Sequence, residues 1–153
     1  RHSFQKRRIA LRHILAMYLN IDASKLKISR DNQTKPCLND YKLEFNTSVS
    51  HEYALVAISN APVGIDIEYH KELKELIPIA ERVFSPPELA YLNKQHNEED
   101  RQRSFYQTWC LKEAYLKAIG LGLSIDPRQI TFDIPTQTLL KFPPQELNFN
   151  WQY

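Results

Sequence analysis

The sequence predicts an α+β fold assembled from two similar α/β units, and three observations carry that prediction. Residues 5–19 and 109–119 show the 3.6-residue apolar period of helices. Residues 43–46, 53–59 and 63–68 have the composition or the alternation of strands. One pattern also occurs twice: Ile21-Asp22-Ala23-Ser24-Lys25-Leu26-Lys27-Ile28 and Ile125-Asp126-Pro127-Arg128-Gln129-Ile130-Thr131-Phe132 both read Ile-Asp, three residues, an aliphatic residue, one residue, an apolar residue. The copies lie 104 positions apart and each follows a helix, so helix, turn and strand recur in the same order in both halves.

Taken in order, the first helix offers Ile9, Leu11, Ile14, Leu15, Tyr18 and Leu19 as a wide apolar face, and Arg7, Arg8 and Arg12 as a basic one that is either a phosphate surface or simply solvated. After the first copy of the repeat, Arg30 to Lys35-Pro36 forms a polar turn. The run at 53–59 is apolar enough to be buried on both faces, and Asn60-Ala61-Pro62 turns it straight into residues 63–68, so these two segments are expected to pair as a hairpin. In Phe84-Ser85-Pro86-Pro87-Glu88-Leu89, Ser85 is an N-cap, Pro86 takes the first helical position, Glu88 closes a capping box and Phe84 staples to Leu89. Asn97-Glu98-Glu99-Asp100 reads as a polar loop before the central helix, which Gly120 and Gly122 end. Beyond Ile125 strands follow, interrupted by Pro135, Pro143 and Pro144.

The central helix, Trp109-Cys110-Leu111-Lys112-Glu113-Ala114-Tyr115-Leu116-Lys117-Ala118-Ile119-Gly120, is almost wholly apolar yet carries three charges. Glu113 and Lys117 stack at i,i+4, an arrangement that is also ordinary helix decoration. Buried charge is costly, so Glu113 needs a cation, either Lys117 alone or Lys117 together with a metal. In Val63-Gly64-Ile65-Asp66-Ile67-Glu68 the acids alternate with aliphatic residues, so Ile65 and Ile67 face the core while Asp66 and Glu68 point the same way, about 7 Å apart. Two carboxylates plus Glu113 make a hard-oxygen site suited to Mg²⁺, and acids beside a lysine point to phosphoryl chemistry.

Composition narrows the classes. With 42% hydrophobic and 25% charged residues and a net charge of +2, the 153-residue chain is neither a disordered segment nor a strongly basic nucleic-acid binder. No apolar run reaches the length of a membrane span, so no membrane partner is expected. Cys37 and Cys110 lack CxxC spacing, and the five histidines lack metal-ligand spacing; a reducing compartment, the cytoplasm, is the expectation. Cys110 reads as a buried inert thiol, and Phe105, Tyr106 and Trp109 as core residues.

Gly64-Ile65-Asp66-Ile67-Glu68, followed 43 positions after Asp66 by the run beginning Trp109-Cys110-Leu111-Lys112-Glu113-Ala114, resembles the paired signature of the surfactin-type 4′-phosphopantetheinyl transferases. Lys35-Pro36 and Phe45-Asn46-Thr47-Ser48 resemble two further motifs of that family, and the likeness spans residues 7–132. The resemblance implies two lobes related by a pseudo-twofold axis with a ligand cleft between them, here residues 1–62 and residues 63–153, the latter carrying the metal site. It also implies that the chain, which starts without methionine, is truncated at both ends. The implied activity is transfer of the phosphopantetheine arm of coenzyme A to a serine of an apo acyl or peptidyl carrier protein, releasing adenosine 3′,5′-bisphosphate.

In that scheme Asp66, Glu68 and Glu113 hold Mg²⁺, Glu113 takes the serine proton and Lys117 stabilises the transferring phosphate. Lys35, Pro36 and Ser48, with Arg7 and Arg8, match positions or regions that hold the nucleotide phosphates. Two departures stand out: Val49 replaces a phosphate-contacting histidine, and Thr34 replaces the glycine usual before Lys35. If residues 49–51 are extended, His51 points to the same side as Val49 and substitutes for the missing imidazole. Two rival readings are a non-catalytic relative that binds carrier protein or nucleotide, and another Mg²⁺-dependent phosphotransferase or nuclease; retention of all three acids opposes the first and the low net charge opposes a nuclease.

Overall fold

The computed structural model describes residues 2–30 and 35–142. Helix α1 (His2–Leu19) begins three residues before the expected start. It ends in a Schellman motif: Asn20 takes the left-handed conformation at φ 52°, its N–H donates to Met17 O, and the Ile21 N–H donates to Ala16 O. The wide apolar face expected of α1 is not all buried. Leu11, Leu15 and Leu19, one ridge at i, i+4 and i+8, pack with Leu26, Leu38, Leu43 and Phe45, whereas Ile9, Ile14 and Tyr18 are exposed.

A short pair, β1 (Ser29–Arg30) and β2 (Pro36–Cys37), precedes the antiparallel hairpin of β3 (Glu44–Ser50) and β4 (Tyr53–Ser59), whose register runs from Glu44↔Ser59 to Ser50↔Tyr53. Residues 63–68 do not pair with β4 as expected; among the described residues they join no sheet. They lie extended alongside β3 and are held by side chains: the N–H groups of Ile65, Ile67 and Tyr69 donate to Asn46 Oδ1 (3.1 Å), Ser48 Oγ (3.3 Å) and Ser50 Oγ (2.8 Å). The opposite side of this stretch rests on α4 (Glu98–Ile119). Gly64 makes that contact possible, because a Cβ there would stand 1.8 Å from Ala114 O and 2.6 Å from Ala118 N.

Helices α2 (Leu76–Val83) and α3 (Pro86–Asn93) pack on the N-terminal half of α4 through Leu76, Ala80, Phe84, Leu92, Phe105 and Tyr106. At the α3 start Ser85 is the N-cap and Pro86 the first helical residue, as expected, and the Glu88 arm of the capping box is formed, the Ser85 N–H donating to Glu88 Oε2 at 2.7 Å; the Ser85 hydroxyl makes no capping hydrogen bond. The α4 start is not as expected. Asn97 is an N-cap whose Oδ1 accepts the Asp100 N–H at 2.8 Å, and Glu98, Glu99 and Asp100 form the first turn, where three acids complement the helix dipole. Gly120 closes α4 at φ 75°. The C-terminal half of α4 buries Tyr115 and Leu116 against Ile125, Ile130, Phe132 and Ile134, beside the pair β5 (Thr131–Asp133) and β6 (Thr138–Lys141).

The repeated pattern folds the same way twice. Asp22 and Asp126 each cap a 3₁₀ turn, Ala23–Lys25 and Pro127–Gln129, accepting the N–H of Ser24 (2.7 Å) and of Arg128 (3.0 Å). Each turn is gripped by a cation from the preceding helix: Arg12 donates to Ala23 O and Leu26 O, and Lys112 donates to Pro127 O and Ile130 O. Arg12, read as part of a basic face that is either a phosphate surface or simply solvated, is instead occupied in holding its own turn.

Candidate functional site

The acidic stretch and α4 meet at Asp66. Its side chain, only 3% exposed, takes the Lys117 ammonium on Oδ1 at 2.6 Å and the Ser48 hydroxyl on the same oxygen at 2.8 Å. Lys117 also donates to Ser48 Oγ (3.1 Å) and Ile65 O (3.4 Å), so its three N–H bonds are used. The sequence offers Glu113, one turn away, as its partner; the hydrogen-bonded partner is Asp66, 51 residues away. Asp66 Oδ2 is buried without a hydrogen-bond partner among the described residues.

Burial pushes the Glu113 carboxyl above its ordinary pKa; Lys117 draws it back, and Asp66 and Glu68 push it up again. The three acids named from the sequence are therefore close enough to feel one another. Cys110, on the same helix, is pushed up to about 12, first by burial and then by Asp66 and Glu68, which keeps it a protonated and inert thiol. Among the described residues no group of three His, Cys, Asp or Glu side chains is placed to hold a metal ion. The donor chemistry nonetheless fits a small hard dication: the oxygens of Asp66, Glu68 and Glu113 are all carboxylate, Asp66 Oδ2 is buried without a hydrogen-bond partner, and the single Lys117 ammonium offsets only part of the charge of three acids. A cavity of about 420 Å³ opens between residues 62–66 and the α4 face bearing Gln107, Cys110 and Ala114; of the three acids only Asp66 lines it.

The other residues named from the sequence lie at varying distances from this centre. Lys35 Nζ donates to Glu44 Oε2 and to Ala118 O, both at 3.1 Å, and so clips the hairpin to the end of α4. Pro36 sits opposite Arg30 in the short pair. Arg7 and Arg8 are exposed on α1, with the Arg8 guanidinium over the Phe4 ring, and no hydrogen bond or ion pair among the described residues joins them to the acids. His51 is not extended beside Val49. It turns the hairpin at φ 55° and its ring lies tilted against that of Tyr69 with centroids 4.0 Å apart, so the imidazole neighbours the end of the acidic stretch by a different route. Val49 is exposed.

Three features escaped the sequence. Lys112 and Glu88 form an ion pair at 2.8 Å with both side chains fully buried, and Glu88 Oε1 also accepts the Phe132 N–H at 2.9 Å. Asn46 and Ser50 act as acceptors for the acidic stretch, and Gly64 permits its approach to α4. The only available signal was the alternation of Asn46, Ser48 and Ser50 along one strand face.

A family model described as the 4′-phosphopantetheinyl transferase superfamily matches residues 62–153, which include the acidic stretch and α4. The chain is 36% identical over 133 residues to the 4′-phosphopantetheinyl transferase gsp of Aneurinibacillus migulanus, covering 86% of this chain and 54% of that protein. It is 36% identical over 129 residues to the 4′-phosphopantetheinyl transferase HetI of Nostoc, covering 81% and 54%. Against the mouse L-aminoadipate-semialdehyde dehydrogenase-phosphopantetheinyl transferase it is 31% identical over 139 residues, covering 83% and 45%. The chain spans about half the length of the curated relatives it matches. No helix among the described residues is long and apolar enough to cross a membrane.

Proposed function

We propose, from the premise that this chain belongs to the 4′-phosphopantetheinyl transferase superfamily, that it moves the phosphopantetheine arm of coenzyme A onto a serine of an apo acyl or peptidyl carrier protein. The observation that carries the reading is the meeting of Lys117, Asp66 and Ser48 from three separate segments, with Glu113 one turn away and its carboxyl raised.

Asp66, Glu68 and Glu113 would hold Mg²⁺. Bound there, the ion would offset pyrophosphate charge and stabilise the leaving phosphate. Glu113 acts as the base: burial raises its proton affinity toward that needed to accept a serine proton, while Lys117 keeps it ionisable. The serine oxygen forms the new bond to phosphorus, the pyrophosphate P–O bond breaks, the proton goes to Glu113, and adenosine 3′,5′-bisphosphate leaves. Lys117, anchored on Asp66 Oδ1, presents fixed positive charge to the transferring phosphate. Ser48 holds both partners of that pair. Lys35 and Pro36, with Arg7, Arg8 and His51, fall to the nucleotide side. Residues 1–62 and 63–153 would be two lobes related by a pseudo-twofold axis, and the recurrence of a cation-gripped, Asp-capped turn in each supports that division. The free thiols Cys37 and Cys110 favour the cytoplasm.

Incubation with a fluorescent coenzyme A analogue, Mg²⁺ and a panel of apo carrier proteins tests the reading. Label should stay on a carrier through a denaturing gel, and Glu113→Gln should abolish it while coenzyme A binding persists. Calorimetric coenzyme A binding with no carrier labelled would favour a non-catalytic relative.

A further inference from the structure

We propose that Asn46, Ser48 and Ser50 form a side-chain ladder that sets the register of the acidic stretch, making them positioning residues for Asp66 and Glu68. Alternate residues of a strand share one face, so these three present a row of oxygen acceptors on one side of β3. The N–H groups of Ile65, Ile67 and Tyr69 meet that row one for one, and in every pair the separation is 19 residues. A constant separation means that the stretch runs parallel to β3 and in step with it, as a paired strand would. Among the described residues it has no backbone ladder to do this.

The bonded N–H groups flank the two acids: Asp66 lies between Ile65 and Ile67, and Glu68 between Ile67 and Tyr69. A slip of one residue would break all three bonds and remove Asp66 from Lys117 and Ser48; a slip of two would put Glu68 in its place. Asn46 is buried, and the ladder supplies its Oδ1 with a donor at the same time. Ser48 joins the two roles, accepting the Ile67 N–H while donating to Asp66.

The catalytic meaning of that register rests on the proposed transferase reading. The test compares Ser50→Val with its isostere Ser50→Thr, which keeps the hydroxyl, and adds Asn46→Leu. Ser50 lies near the surface in a strand, where either β-branched residue is tolerated, so folding is preserved even if Asn46→Leu fails to fold. Amide hydrogen exchange at Ile65, Ile67 and Tyr69 reads the ladder, and calorimetric titration with Mg²⁺ alone reads the acids. Loss of one such bond should speed exchange at Tyr69 roughly three- to tenfold in Ser50→Val, with Ser50→Thr at wild-type protection. Mg²⁺ binding should weaken severalfold in Ser50→Val and be restored in Ser50→Thr; Asn46→Leu should repeat both losses, centred on Ile65. Unchanged exchange in Ser50→Val, or lost protection with wild-type Mg²⁺ affinity, overturns the proposal. If the wild type itself takes up no Mg²⁺, the metal reading of the site fails, and exchange alone decides the ladder: loss rescued by threonine upholds it, and wild-type protection ends it.

Discussion

Lys112 is a residue whose charge the sequence displays and whose purpose it conceals. Its ammonium is fully buried and divides three N–H donors among the Glu88 carboxylate, Pro127 O and Ile130 O. Burial lowers its pKa and Glu88 opposes that shift. Glu88 is legible as the closing member of a capping box, a local motif, but its pairing with Lys112 depends on how α3 packs against α4, which residue spacing does not encode. Lys117 makes the same point in reverse, since i,i+4 spacing suggests Glu113 and the fold delivers Asp66. Removing only the cation from a satisfied buried pair strands the anion, so Lys112→Met should cost about 3–5 kcal/mol. Adding Glu88→Gln to it removes the stranded charge but keeps an acceptor for only one of the Phe132 and Ser85 N–H groups, so it should recover roughly 1 kcal/mol. Urea unfolding of the two variants decides this; a double variant less stable than Lys112→Met would refute the pair as described.

Among the elements, those defined by their own residues were legible: α1, the start of α3 and the end of α4 at Gly120 follow from local chemistry, whereas β4, expected to be buried on both faces and paired with residues 63–68, has no buried residue and pairs with β3. The acidic stretch shows the same limit. Its alternation identifies an extended conformation, yet alternation is silent about partners, and the partners here are side chains of β3 and the backbone of α4. Ile65 and Ile67, expected in the core, are only partly buried, while the Asp66 side chain is enclosed, because the stretch lies on a polar strand face rather than in an apolar sheet. The contact with α4 depends on a missing Cβ. Gly64→Ala must displace backbone rather than a flexible side-chain end, so it should cost at least the roughly 1–3 kcal/mol of an overpacked core. The lost contact should also appear as chemical-shift changes at Ala114 and Ala118; a variant of wild-type stability with both signals unmoved would mean that the stretch does not touch the helix.

At the scale of the whole molecule three apolar clusters are joined by polar contacts. One lies under α1 and the hairpin, one under α2, α3 and the first half of α4, and one under its second half. Between the first cluster and α4 run the Lys117, Asp66 and Ser48 network and the Lys35 clip onto Ala118. The duplicated Asp-capped turn was legible because both copies keep the same residue pattern; the cation gripping each turn was not, because one half uses Arg12 and the other Lys112. The joint between the clusters therefore coincides with the candidate site, and global stability should report its charge state. The Glu113 carboxyl has a folded-state pKa above its ordinary 4.5. Between those two values the folded chain holds a proton that the unfolded chain has released, so stability falls as pH rises through that window and stays lower above it. Glu113→Gln, which cannot ionise, should therefore melt higher than the wild type at pH 7 in the absence of metal, with the difference closing below about pH 4, where Glu113 is protonated in both states. Adding Mg²⁺ should reverse the order, because an ion held by carboxylates stabilises the chain that has all three. Melting curves at both pH values, with chelator and with Mg²⁺, test this; a Glu113→Gln protein that melts lower at pH 7 with chelator present would mean that Lys117 attraction outweighs burial and the neighbouring acids, and that Glu113 is held as a structural anion.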